Sequence, residues 1–227
     1  MKSEKVTSSE KRAEKRWYDD ACGTALAMEL VGERWSLLVV RELMFGPRRF
    51  GEIRRGLPGV SANVLTERLG GLERAGILGR RRLPSPANAQ VYELTAWGRE
   101  SEAAIQALGR WAVRSPAHDV TLPLSPASMM MSLRTMYAGG GAGTIGFRLA
   151  DEPFVARLGE GIAITREEPD GADAVFEAAD ARATAAAVYG KVPLDVLAAE
   201  GALRVRGDPD AARRFVDLFV LPDKAGG

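Results

Sequence analysis

The chain has 227 residues, 46% of them hydrophobic and 27% charged, with a formal net charge of +1; this fits an ordinary soluble protein with room for two modest domains. No apolar run approaches the ~20 residues that a membrane helix needs. One cysteine and one histidine exclude an internal disulfide framework and remove most zinc-site and triad chemistry.

Residues 1–19 form a charged N-terminal extension without the apolar stretch and cleavage site of a secretory signal, so a cytoplasmic location is expected. The net charge hides an asymmetry: 20 Lys and Arg against 14 Asp and Glu up to His118, then 11 against 16 beyond it. Between Arg34 and Arg82 the balance is 11 against 4, a concentration that suits a polyanionic partner. Apolar spacing over residues 20–72 is helical, through AMELVG, Trp35, Leu37, Leu38, Val40, Phe50, Ile53, Leu65, Leu69 and Leu72. LGRRRLPSPANAQVYELT then reads as a β-hairpin around a Pro/Asn/Ser loop, and AWGRESEAAIQALGRWAVR as one closing helix. Prolines and small polar residues mark a linker at 115–126.

Beyond the linker, Ser125 and Pro126 are expected to start a helix through SMMMSLRTMY. Period-two runs follow at Ile145/Phe147/Leu149, Phe154/Ala156/Leu158, Ile162/Ile164 and Ala174/Phe176, and these predict strands. Helices are expected at 181–189 and 193–199, a strand around Leu203 and Val205, and a last helix opened by Asp208-Pro209. The predicted class is α+β, in two domains.

In GVSANVLTERLGGLERAGIL (59–78), Ser61 is a good N-cap, and Leu65, Leu69 and Leu72 fall within ~60° on a helical wheel. Asn63 and Glu67 then lie on the outer face, with Thr66 at its edge. RRFGEIRRGLPG ahead of it reads as a short helix ended by Gly56 and Pro58. The pair makes a helix-turn-helix whose second member can enter a major groove, and the hairpin adds a wing carrying Arg80, Arg81 and Arg82.

Cys22 with ALAMELVGERW, then RELMFGPRRFGEI, LPGVSANVLTERLGGLERAGI and YELTAWG resemble the HxlR-type winged helix-turn-helix regulators of the MarR-like superfamily. The likeness covers about residues 20–114. It implies binding of double-stranded DNA as a homodimer, with dimerisation through the segment before Gly23 and the helix from Ala96 to Arg114, and family habit leans toward repression. A two-fold dimer would place recognition helices about 34 Å apart on a near-palindromic operator. Ser61, Asn63 and Thr66 are the candidates for contacts at base edges. Arg48, Arg49, Arg80 and Arg82 are assigned to phosphates or the minor groove. Cys22 begins a helix, where a thiol pKa can be depressed, and some relatives sense oxidants or electrophiles near this position; a small apolar residue at a helix start is the plain alternative.

The remaining residues, 127–227, resemble a sterol-carrier-protein-2-like (SCP2-like) domain in the order and spacing of their segments, above all AVYGKVPLDVLAAEGALRVRGDPDAARRFVDLF. The likeness implies an α/β sandwich with a mostly antiparallel five-stranded sheet and an apolar cavity for a small hydrophobic ligand. Met130, Met136, Phe147 and Phe176 are its candidate lining residues, and core packing is the competing use of the methionines. GAGTIG (141–146) satisfies G-x-G-x-x-G, but its helix-before, strand-after setting is the reverse of a dinucleotide-binding turn. No cofactor and no enzymatic activity are expected. A lipid carrier or scaffold whose winged helix mediates protein contacts is the alternative function, and it leaves the arginine concentration unexplained.

Overall fold

The computed structural model describes residues 18–226; most of the charged extension therefore lies outside the described residues. α1 (Gly23–Val31), α2 (Ser36–Leu43), α3 (Phe50–Gly56) and α4 (Ala62–Arg74) precede the hairpin of β1 (Leu78–Arg82) and β2 (Gln90–Leu94). Its register pairs Arg80 with Tyr92 and Arg82 with Gln90. The apolar stripes of α2, α3 and α4 meet in a core of Val39, Val40, Leu43, Ile53, Leu65, Leu69 and Leu72, which is what a 3.6-residue period provides.

The closing helix is two helices, α5 (Ala96–Glu100) and α6 (Glu102–Ala112). The Ser101 hydroxyl donates to Gly98 O at 2.7 Å, a local bond that competes with the helical ladder. Gly98 itself lies against the Ile77 carbonyl, where a Cβ would come within 2.0 Å, so α5 is pinned to the base of the hairpin before α6 sets off.

α7 (Pro126–Met136) is capped by Ser125, whose Oγ accepts from Ser128 N at 3.0 Å. It packs against α2, α6 and, once the chain reaches them, β5 (Ile162–Thr165) and α8 (Ala181–Val188). A helix enclosed on all sides has no polar face to spare. Met129, Met130 and Met131 are consequently all buried, although consecutive residues point in different directions.

β3 (Gly143–Leu149), β4 (Glu152–Leu158), β5 and β6 (Ala174–Ala178) are followed by α8, α9 (Leu194–Ala199), β7 (Arg204–Gly207) and α10 (Pro209–Asp217). The sheet order is β5-β4-β3-β6-β7, and only the β3/β6 pair is parallel. That pairing forces the chain after β5 to cross the sheet's outer face, where Pro169 presses on Gly146 at 2.4 Å from the site of a Cβ. This explains the last glycine of GAGTIG, while Gly143 needs its φ of +109° at the entry to β3. The motif opens a strand.

On the inner face Phe147 stacks on Phe176 at 5.5 Å, and Phe215 meets both at 5.6 and 5.8 Å. Each such pair contributes about 0.5–1.5 kcal/mol beyond burial. The outer face is solvated and charged, with pairs such as Arg148–Glu168 at 2.7 Å and Arg206–Glu177 at 2.9 Å.

The two halves share one hydrophobic core. Phe45, just after α2, meets Phe154 of β4 edge-on at 5.8 Å. Arg134 of α7 lies over Phe45 at 4.5 Å and pairs with Glu102 of α6 at 2.8 Å. Past α10 the chain returns to α6. Lys224 Nζ donates to the carbonyls of Val113 at 2.9 Å and Ser115 at 3.2 Å, and Ala225 N donates to Arg114 O at 2.7 Å. The expected linker is thus only a short surface path between parts that are packed together. No described helix is long and apolar enough to cross a membrane.

Candidate nucleic-acid interface

α4 presents its first turn outward because Leu65, Leu69 and Leu72 hold the opposite side in the core. Ser61 Oγ accepts from Val64 N at 3.2 Å, and Thr66 Oγ1 donates to Ala62 O at 2.9 Å. Both hydroxyls therefore spend one hydrogen bond on the helix; Ser61 keeps its donor and one lone pair, and Thr66 keeps its acceptor lone pairs only. The Asn63 side chain is exposed and makes no hydrogen bond to another described residue. Its amide is the one side chain of this turn with its full donor and acceptor set, and it stands at a helix N-terminus where backbone N–H groups favour negative charge.

Two further groups of arginines are displayed by this half, one at the start of α3 and one on the wing. Arg49 caps α3 through its backbone, with Arg49 N donating to Glu52 Oε2 at 2.8 Å, and its side chain is exposed. On the wing, Arg80 lies over the Tyr92 ring at 5.6 Å and pairs with Glu73 at 2.8 Å, while Arg81 pairs with Glu93 at 3.0 Å. Arg82 Nε donates to Asn88 Oδ1 at 2.9 Å and has no carboxylate partner among the described residues. Surface pairs of this kind are worth about 0–1 kcal/mol and exchange readily for a phosphate. Arg54 and Arg55, in the last turn of α3, are exposed as well. They belong to the arginine concentration in the sequence but carry no individual signal that singles them out.

Arg48 requires a correction. It is only 3% exposed. Its Nη1 donates to Glu42 Oε2 at 2.9 Å and its Nη2 to Glu152 Oε1 at 2.5 Å, so the guanidinium is turned inward and unavailable to a phosphate. Burial of a guanidinium requires paired carboxylates, and Glu42, fully buried, supplies one of them. Glu42 Oε1 further accepts from Arg41 at 3.0 Å and from Ser125 Oγ at 2.7 Å. Sequence reasoning missed this cluster because its members are dispersed along the chain, with Arg48 and Glu152 separated by 104 positions.

Cys22 is exposed at the N-cap of α1. The Thr24 N–H, then the Thr24 hydroxyl and the Ala25 N–H, favour the thiolate at the start of α1 and hold the thiol below its ordinary pKa. Met130, Met136, Phe147 and Phe176 also need a correction: they are buried in close contact with the core rather than lining an open cavity. The second half has a hollow elsewhere, of about 550 Å³, between α9, β7 and α10, with Val192, Leu194, Val205 and Val216 on its walls and Lys191 and Arg213 among its polar residues. Exposed apolar side chains gather on α1 (Leu26, Met28) and on α6 (Leu108, and Trp111 at 73% exposure).

Residues 30–119 match the HxlR-like helix-turn-helix family. The chain is 40% identical over 86 residues to the HTH-type transcriptional regulator YodB of Bacillus subtilis, covering 77% of YodB and 38% of this chain. It is 45% identical over 85 residues to the HTH-type transcriptional regulator Rv3095 of Mycobacterium tuberculosis, spanning about half (53%) of that relative and 37% of this chain. The reduced form of YodB superposes with a TM-score of 0.39 at 36% identity, over 43% of this chain and 98% of YodB. At 40% identity over 77% of YodB, and with residues 30–119 matching the family, the chain belongs to the HxlR-like helix-turn-helix family.

Proposed function

We propose that the protein is a DNA-binding transcriptional regulator, acting as a homodimer and most simply as a repressor, that inserts the N-terminal turn of α4 into the major groove of a near-palindromic duplex. The observation that carries this reading is the unengaged, exposed Asn63 amide at the start of α4, in a half of the chain that also exposes Arg49 at the start of α3 and Arg80 and Arg82 on the wing. Asn pairs bidentately with adenine, and the arginines supply the sequence-independent part of the affinity. The exposed apolar side chains of α1 and α6 are the surface offered to the second copy. Such a regulator works in the cytoplasm and performs no catalysis. A gel-shift titration against duplexes selected from a random pool tests the assignment. Tight binding by the wild-type chain, with a loss of about 1–3 kcal/mol in Asn63→Ala, supports it; an unaltered shift in Asn63→Ala, or no shift in the wild type, sinks it.

The second half reads as an SCP2-like ligand domain, and the hollow between α9, β7 and α10 is where a small apolar molecule would sit. Its aliphatic walls suit an apolar molecule, and its two cations, Lys191 and Arg213, are balanced by Asp195 and Asp217. Native mass spectrometry of the purified protein, together with melting shifts on a panel of fatty acids, tests this: no co-purifying molecule and no shift would remove the ligand from the scheme.

A further inference from the structure

Glu152 follows the two-residue turn of Ala150 and Asp151, whose φ angles of +48° and +68° fit the primed hairpin turns that tightly link paired strands. This turn aims the first side chain of β4 at the first half of the molecule. Glu152 Oε1 accepts from Arg48 at 2.5 Å and Oε2 from Arg166 at 3.3 Å, and Arg166 in turn donates to the Phe45 carbonyl at 3.3 Å. The receiving residue occupies a junction. Arg48 N donates to Tyr92 O at 2.9 Å and Tyr92 N to Arg48 O at 2.8 Å, so its backbone forms a bridge to the wing strand β2. The next residue, Arg49, is the N-cap of α3. One side chain of the second half thus grips the point where the wing and the helix-turn-helix are joined.

We infer that Glu152 is a positioning residue for DNA recognition, through which the second domain sets the relative placement of wing and recognition helix by holding Arg48. The inference rests on the proposed DNA binding and adds a route by which the second half regulates it. The charge balance gives the direction. The cluster holds three cations, Arg41, Arg48 and Arg166, against two anions, Glu42 and Glu152, with side-chain exposures from 0% to 19%. Neutralising Glu152 leaves Arg48 and Arg166 facing each other with one carboxylate between three guanidiniums. At low effective dielectric that repulsion is poorly screened, and it bears on Arg48, whose backbone bridges to Tyr92.

The test uses the full-length chain and a duplex that the wild-type protein selects from a random pool, with an unrelated duplex as comparator. Glu152→Gln lowers affinity for the selected duplex on the order of fivefold or more, the lower end of common coupling between sites. It leaves the salt slope unchanged because no phosphate contact is lost, and it narrows the ratio of selected to unrelated binding at a temperature where circular dichroism shows the variant folded. Adding Arg166→Gln to Glu152→Gln removes the excess cation and recovers affinity. A measurement that needs no variant guards against misfolding: by reciprocity, binding of the selected duplex slows amide exchange across the 150–158 hairpin, which carries none of the proposed DNA contacts. Equal affinities of wild type and Glu152→Gln, or unchanged exchange in that hairpin, overturn the inference while leaving DNA binding intact. Failure of the wild type to select any duplex overturns the functional proposal itself.

Discussion

Salt dependence separates the arginines of the interface from the arginine that only looks like one of them. Replacing Arg82 by alanine removes an exposed guanidinium with no carboxylate partner among the described residues, held only by Asn88 at 2.9 Å. Each phosphate contact contributes about 0.9 to the slope of log K against log salt, so a dimer losing two is expected to lose about 1.8. Between roughly 50 and 200 mM salt, that difference shrinks the affinity advantage of wild type over variant by about tenfold. Replacing Arg48 by methionine leaves the slope unchanged, because its guanidinium already spends its charge on Glu42 at 2.9 Å and Glu152 at 2.5 Å. The assay is fluorescence-anisotropy titration of one duplex at several salt concentrations. Equal slopes for Arg82→Ala and wild type, or a slope in Arg48→Met that falls as far as in Arg82→Ala, would refute the separation of surface from buried arginines.

Glu42→Ala strips a fully buried carboxylate from Arg48, Arg41 and Ser125 and is expected to cost about 3–5 kcal/mol, or roughly 2–4 °C of melting midpoint per kcal/mol in a chain of this size. Glu73→Ala, which breaks only the exposed pair with Arg80, costs at most about 1 kcal/mol; similar losses for the two in chemical denaturation would contradict the burial argument. The thiol of Cys22, held below its ordinary value chiefly by the Thr24 N–H, alkylates with iodoacetamide at a lower pH midpoint in the folded than in the unfolded protein, and coincident midpoints would disprove that. Burial pushes the Tyr189 phenol up to about 12 despite its bond with Ser132. The unfolded chain therefore ionises first, and stability present below pH 10 is lost as pH rises toward about 12; Tyr189→Phe removes that slope, which alkaline unfolding titrations read directly.

Most elements were legible because they follow local rules. Ser61 and the leucines of α4 announce that helix by spacing, Ser125-Pro126 and Asp208-Pro209 mark the starts of α7 and α10, and the alternation at Phe147 and Phe154 gives β3 and β4. Relations between distant residues were not legible. Arg48 sits beside Arg49 in a run that reads as one basic surface, yet one is buried and the other exposed, a distinction made by Glu152 from the far half of the chain. Met130 and Met136 were candidates for a cavity wall with core packing as the competing use, and the packing of α7 against α2, α6, α8 and β5 puts both in the core. The expected single helix over 96–114 broke at Ser101 because Gly98 had to approach the Ile77 carbonyl, a contact that no periodicity encodes.

The enclosure of α7 also bears on how such a protein can be altered. Cutting the chain near residue 119, where the family resemblance ends, would strip from α2 and α6 the helix that carries Met129, Met130 and Leu133, and would remove Ser125 from Glu42 and Lys224 from the end of α6. The winged helix would then display an oily scar, and its buried Glu42–Arg48 pair would lose Ser125 and Glu152 as partners. The two halves of the chain are therefore not interchangeable cassettes: transplanting a different second half onto this winged helix calls for redesigning the seam along with the graft.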